Sequence, residues 1–177
     1  DYSFVEGVMG LFDGIGSGSK GSTAELAKIL DLPVVLIVDA RGKVASLAAL
    51  IKGFIDHDKQ LKIAGVVLNN VQTPRHEKIL LEVLDQINIK SLGSIPLSKD
   101  LYLPTRHLGL APAHEITGLE VKVKKWASIA KDYLDIESFK KLLLPPEPKE
   151  KTIHFFQKKR SELIHPIAIA EDEAFHF

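Results

Sequence analysis

The chain has 177 residues, 23 basic and 23 acidic side chains, and no cysteine. This length can bury one substantial core, and the balanced charge gives no electrostatic reason to bind nucleic acid or an anionic membrane. The absence of cysteine excludes disulfides and a thiol nucleophile within these residues. Neither a membrane-spanning run nor a signal peptide is recognisable, so we expect a cytoplasmic protein.

Four short apolar segments are predicted to be strands. They are residues 2–5, 34–38, 64–68 and 91–95. All are rich in Val, Ile and Leu without alternation, which is typical of parallel strands buried on both faces. Helical periodicity is found over 44–55 and 76–87, and Ser22 with Glu25 forms a capping box that begins a helix running to about Leu30. Alternating strands and helices indicate βαβ units and a parallel sheet.

Two acidic residues, Glu6 and Asp13, follow the first predicted strand. Open α/β sheets bind ligands just past the carboxyl ends of their strands, and carboxylate oxygens suit Mg²⁺ with its phosphates. The alternative is a pair of solvated loop acids. The next loop, 15–21, is rich in Gly, Ser and Lys but lacks the spacing of a Walker A motif. It is either a cradle for phosphate or carboxylate groups, or a mobile linker.

Two more helices are predicted beyond residue 110, over 120–134 and 136–143. The first is expected to turn inward its apolar side chains Val121, Trp126, Ile129, Ala130 and Tyr133. The segment 144–151 is rich in proline and charge, as linkers are. A further strand is predicted to begin near Ile167.

Six segments, in this order along the chain, resemble the cobyrinic acid a,c-diamide synthase family. They are residues 6–30, 33–40, 63–71, 75–76, 103–110 and 167–177. The resemblance implies an α/β fold of the dethiobiotin synthetase-like P-loop type, a mainly parallel sheet flanked by helices. The family's P-loop and its strand precede Glu6, so the fold is expected to be incomplete in these residues.

The resemblance also implies an activity. Members of the family are ligases of cobalamin biosynthesis that amidate the a and c acetate carboxylates of cobyrinic acid, using ATP, Mg²⁺ and ammonia that is free or derived from glutamine. Hydrogenobyrinic acid and nickel sirohydrochlorin are alternative substrates, and a non-catalytic partitioning-type ATPase is an alternative from another class. A homodimer is left open.

Residue roles come from the same resemblance. Glu6 and Asp13 match the acidic pair of the synthetase active site, with Glu6 assigned to Mg²⁺ and Asp13 to positioning substrate or phosphate. Asn69 and Pro96 are assigned to the nucleotide, because an amide such as that of Asn69 can donate to and accept from adenine. The alternative for Asn69 is a loop residue that caps its strand.

Three more residues are interpreted with less specific support. Arg106 and His107 are assigned to a phosphate or a macrocycle carboxylate, since Arg suits planar anions; an exposed loop pair is the alternative. Asp39, at the end of a predicted strand, is interpreted as structural. The seven histidines show no metal-ligand spacing.

The predicted domain organisation has three parts. A partial synthetase domain covers 1–143, a linker covers 144–165, and the start of a class I glutaminase-like domain covers 166–177. The family's glutaminase nucleophile lies beyond Phe177, and its P-loop lies before Glu6. We therefore expect the parent protein to be active and this chain alone to be inactive.

Overall fold

The computed structural model describes residues 3–103 and 116–143. The predicted linker over 144–165 and the predicted glutaminase-like segment over 166–177 lie outside the described residues, as does the predicted strand near Ile167. The domain boundaries therefore stay predictions.

The chain divides into two compact units. The first comprises Asp1–Tyr102 and Glu120–Leu143, and the second comprises Leu103–Leu119 and Leu144–Phe177. All the strands described below belong to the first unit. Few residues of the second unit are among those described.

A parallel sheet of three strands forms the centre of the first unit. Its strands β1 (Val34–Asp39), β2 (Ile63–Val71) and β3 (Ser91–Pro96) lie side by side in that order. They confirm three of the predicted strands and their parallel arrangement. β2 is longer than predicted and continues through Asn69 and Asn70 to Val71.

Two helices cover one face of the sheet, α2 (Ala45–His57) and α3 (Pro74–Gln86). The core between them contains Leu36, Val38, Val66 and Leu68 of the strands, with Leu47, Ile51, Leu80 and Leu84 of the helices. Each such side chain contributes roughly 1.5–3 kcal/mol on burial, so this layer is a major stabilising contribution to the first unit.

The helix starts follow local capping rules. Before α1 (Thr23–Ile29), the Ser22 hydroxyl accepts from the Glu25 N–H, as the capping box predicts. The Glu25 carboxylate accepts from the Gly21 N–H, one residue earlier than in the usual box. α3 begins with Pro74 after an N-cap threonine, which agrees with the preference for proline in the first turn.

Two expectations about strands are wrong. Residues 3–5 are not a strand, and Phe4 and Val5 are exposed. A strand needs a neighbour for its backbone groups, and no strand among the described residues pairs with this segment. On β1, Ile37 is 71% exposed although Leu36 and Val38 are buried. Within the described residues, no element covers the face of β1 on which Ile37 lies.

Two more helices are described, α4 (Leu119–Tyr133) and α5 (Ile136–Leu142), and both are close to their predicted bounds. Trp126 is half-buried as expected, but Val121 and Tyr133 are largely exposed, so the predicted inward face is wrong at those two positions. Within the described part of the chain, none of the α4 side chains is fully buried. None of the described helices has the length and apolar character of a membrane span.

Candidate functional site

The carboxyl edge of the sheet brings together two residues that the sequence assigns to the nucleotide. Asn69 lies opposite Asp39 in the β1–β2 register, and Val71 lies opposite Pro96 in the β2–β3 register. The Leu97 N–H donates to the Val71 carbonyl at 2.9 Å, which extends the pairing beyond Pro96. Asn69 and Pro96 are therefore close together at the edge where open α/β sheets bind ligands.

Asn69 is half-buried and retains hydrogen-bonding capacity. Its Oδ1 accepts from the Asn70 N–H at 3.0 Å, and its Nδ2 has no partner within the described part of the chain. Asn70 has a φ of +61°, a conformation that asparagine tolerates better than most residues, and the β2–β3 register shifts at this point. An amide with two donors and a spare lone pair fits the mixed donor and acceptor edge of a purine.

The Asp39 carboxylate is the centre of the hydrogen bonds at this edge. It accepts from the Arg41 guanidinium at 2.8–3.1 Å, from the Arg41 N–H at 3.2 Å and from the Asn70 side-chain amide at 3.0 Å. The Arg41 side chain, followed by Asn70, holds the pKa of Asp39 well below its usual range, and Asp39 in turn raises the pKa of Arg41. Asp39 thus joins the loop after β1 to the end of β2.

A second bridge connects the loop after β1 to the start of α3. The Lys43 ammonium donates to the Asp39 carbonyl at 3.0 Å, and His76 Nε2 lies 2.8 Å from the Lys43 carbonyl. The Gln72 N–H points to His76 Nδ1, so the ring is consistent with a neutral tautomer that carries its proton on Nε2. The sequence signal for His76 was its place in a segment that resembles the family, but no role had been predicted for it.

Glu6 and Asp13 both lie exposed in the loop that precedes α1. The Asp13 carboxylate accepts from the Gly10 N–H at 2.9 Å, and the Asp13 N–H donates to the Gly10 carbonyl at 3.0 Å. A Cβ at Gly10 would overlap that carboxylate, so a side chain there would displace the Asp13 side chain from this hydrogen bond. The contacts of the described residues do not join either acid to Asn69 or Pro96, and their predicted roles stay predictions.

The loop that carries these acids is anchored to two helices. The Leu11 carbonyl accepts from the Ala24 N–H at 2.9 Å in the first turn of α1. The Phe12 ring stacks on Phe54 of α2 with centroids 5.8 Å apart, and its centroid lies 4.4 Å from that of His57. These contacts fix the course of the chain just before Asp13.

A metal site is not preassembled in this region. Within the described residues, no three His, Asp or Glu side chains form a group that could hold a metal ion. Mg²⁺ usually binds proteins through one or two carboxylates together with substrate phosphates and waters. Glu6 fits that pattern as a single carboxylate.

Arg106 and His107, the predicted substrate residues, lie outside the described residues.

Comparison with known proteins places these features in a family. A family model described as an AAA domain matches residues 1–105, and with the parallel sheet it confirms the predicted α/β fold of the P-loop NTPase-like type. No solved structure gives a significant match to the chain.

Three curated relatives match nearly the whole chain. A protein of Caldanaerobacter subterraneus named cobyrinate a,c-diamide synthase is 43% identical over 100% of this chain and 39% of its own length. A protein of Brucella ovis named hydrogenobyrinate a,c-diamide synthase is 42% identical over 98% of this chain and 39% of its own length. A cobyrinate a,c-diamide synthase of Limosilactobacillus reuteri is 38% identical over 100% of this chain and 38% of its own length. The chain thus spans less than half the length of these relatives.

Proposed function

The chain belongs to the AAA domain family and is homologous along its whole length to the a,c-diamide synthases, and from that premise we propose that it is the nucleotide-binding part of a tetrapyrrole-amidating ligase. The observation that carries the proposal is the 43% identity to a cobyrinate a,c-diamide synthase over the whole chain. The position of Asn69 and Pro96 near the carboxyl edge of the sheet, where open α/β sheets bind their ligands, supports the proposal.

The proposed roles come from the family resemblance and agree with the chemistry of each side chain. Bound ATP supplies the phosphoryl group that activates a substrate carboxylate for attack by ammonia. Asn69 hydrogen-bonds the adenine edge and Pro96 contacts the base. Glu6 holds Mg²⁺ through its carboxylate, and Asp13, fixed in its turn by Gly10, orients the substrate or phosphate.

Substrate recognition is assigned to the segment of the chain that contains Arg106 and His107. A guanidinium there would pair with a carboxylate of the macrocycle or with a phosphate. Glutamine is proposed as the source of ammonia in the parent protein. A cytoplasmic location and a homodimer stay predictions.

Two macrocycles are candidates for the substrate. Cobyrinic acid is favoured by the 43% relative, and hydrogenobyrinic acid by the 42% relative, so identity does not separate them. The experiment supplies each acid with ATP, Mg²⁺ and glutamine to a protein of the relatives' full length that carries this chain. Mass spectrometry should show two carboxylates converted to amides in one or both acids. If a protein shown to be folded amidates neither acid, the proposal is refuted.

A further inference from the structure

The segment that follows β3 is held by two neighbouring residues of α4. The Trp126 indole N–H donates to the Asp100 carbonyl at 2.9 Å, and the Lys125 ammonium lies 2.6 Å from the Asp100 carboxylate. Trp126 is the only tryptophan of the chain. Both contacts therefore act on one residue, Asp100, in the short 3-10 turn Lys99–Leu101.

The far end of α4 is fixed to the beginning of the same strand. Leu134 forms a bridge with Gly93, and the Asp135 N–H donates to the Leu92 carbonyl at 2.9 Å. The two contact points, Trp126 and Leu134, are separated by about 12 Å along the helix axis, which is about half the length of α4. α4 thus runs beside β3 and contacts the chain near both ends of that strand.

The tethered turn begins three residues after Pro96. The Ser98 hydroxyl accepts from the Asp100 N–H at 3.2 Å, so the path from Pro96 to Asp100 is short and its turn is locally capped. Leu97 and Tyr102 on either side are exposed, which leaves little apolar burial to hold the segment. The polar contacts from α4 are consequently the main fixed points of the segment beyond Leu97 among the described residues.

We propose that Trp126 is a positioning residue for nucleotide recognition: its indole N–H fixes the segment from Pro96 to Asp100 against which the adenine binds. The inference rests on the proposed function, because it requires the base to bind beside Asn69 and Pro96. Loss of the N–H would let the segment populate other conformations. Only the fraction of molecules with the segment in place would bind nucleotide, so the apparent affinity would fall in proportion to that fraction.

The test is Trp126→Phe in a protein of full family length, since phenylalanine keeps an aromatic ring and removes the donor. We expect the KM for ATP to rise about 3- to 10-fold, the range for losing one neutral hydrogen bond, with kcat unchanged. The preference for ATP over GTP should fall as well. Lys124→Ala, an exposed lysine on the same helix, is the matched control and should change none of these values.

A second variant keeps the inference testable if Trp126→Phe folds poorly. Lys125→Ala removes the other contact to Asp100 at an exposed ion pair, and a smaller rise in the KM for ATP is expected. An unchanged KM in Trp126→Phe would overturn the inference, and so would an unchanged KM in Lys125→Ala where Trp126→Phe does not fold. So would a KM increase that is matched by an equal fall in kcat and by a lower unfolding midpoint, because that pattern indicates only structural damage.

Asn69→Ala distinguishes this inference from the function on which it rests. If Asn69→Ala leaves the KM for ATP unchanged, the base binds elsewhere and the proposed site fails. If Asn69→Ala raises the KM and Trp126→Phe does not, the site stands and only the positioning role of Trp126 is refuted.

Discussion

At the scale of single residues, Asp39 connects the greatest number of groups at the candidate site. Its carboxylate binds a guanidinium, a backbone N–H and a side-chain amide, and its carbonyl binds Lys43. Asn70 is 31 positions away along the chain and Arg41 only two, so the carboxylate combines a local turn with a long-range contact. This arrangement makes Asp39 a determinant of the shape of the site.

The lowered pKa of Asp39 predicts how stability depends on pH. Because the folded-state pKa lies below the unfolded value of about 3.9, the carboxylate stabilises the fold above that pH, and the contribution is lost as pH falls through both values. Asp39→Asn should therefore lower the thermal unfolding midpoint at about pH 7, and the difference from wild type should shrink below about pH 4. Asp132→Asn, at an exposed position of α4, is the control. An Asp39→Asn effect of equal size across this range would contradict the assignment.

Glu6 and Asp13 give a prediction about catalysis. In a protein of full family length, Glu6→Gln and Asp13→Asn should each reduce amidation by at least ~100-fold, as expected when charge or positioning is lost at a reacting centre. Asparagine keeps an oxygen that can accept from the Gly10 N–H, so the turn should persist. The rate of product formation is measured with Glu82→Gln, an exposed acid on α3, as control. Turnover equal to wild type in either site variant would refute its role.

The sequence assigns a role to some residues of the candidate site and not to others. Asn69 and Pro96 were assigned through the family resemblance, and the parallel register brings them to one edge. Arg41 and His76 were given no role, because their partners are defined by folding. His76 contacts a backbone carbonyl 33 residues earlier, and no residue pattern encodes such a contact.

At the scale of elements, the junction between β3 and α4 depends on one glycine. Gly93 has a φ of +147°, and a Cβ there would overlap the Tyr133 carbonyl and lie against Leu134. Other residues rarely adopt this conformation, and here the space is closed as well. The close approach is what allows the end of α4 to bond to the edge of β3.

We expect Gly93→Ala to destabilise the chain by about 1–3 kcal/mol, from backbone strain and displacement of the α4 end. Gly53→Ala is the matched control. Gly53 lies within α2, and a Cβ there has no neighbour within 4 Å. That substitution should instead stabilise by roughly 0.5–1 kcal/mol through helix propensity. Urea denaturation measures both, and a neutral Gly93→Ala would show that the junction can relax.

Local sequence signals predict where helices and strands lie more successfully than they predict which neighbours cover or pair with them. Ser22 caps α1 through a hydrogen bond three residues away, so a short motif was sufficient to locate that helix start. The exposure of Ile37 and the lack of a strand at residues 3–5 depend on which elements cover or pair with them. Apolar composition reports that a segment can be buried, whereas the covering element decides whether it is.

At the scale of the whole molecule, this chain is one part of a longer enzyme in our proposal. The chain covers 39% of the length of its 43% identical relative, so amidation is a property proposed for a longer protein. What this chain contributes, in our proposal, is the base-binding edge formed by β2, β3 and the turn tethered by Trp126. The location of the nucleotide is therefore the central claim.

Photoaffinity labelling with ATP that carries an azide on its adenine tests that claim most directly. The protein of full family length is irradiated with the probe, digested, and its labelled peptides are identified by mass spectrometry, with excess ATP as the competitor. We predict that peptides containing residues 69–72 or 96–102 are labelled and that excess ATP reduces this labelling. The proposed location would be contradicted if both predicted segments stayed unlabelled and the ATP-sensitive label lay only elsewhere, for example on the peptides of Phe12 or His57.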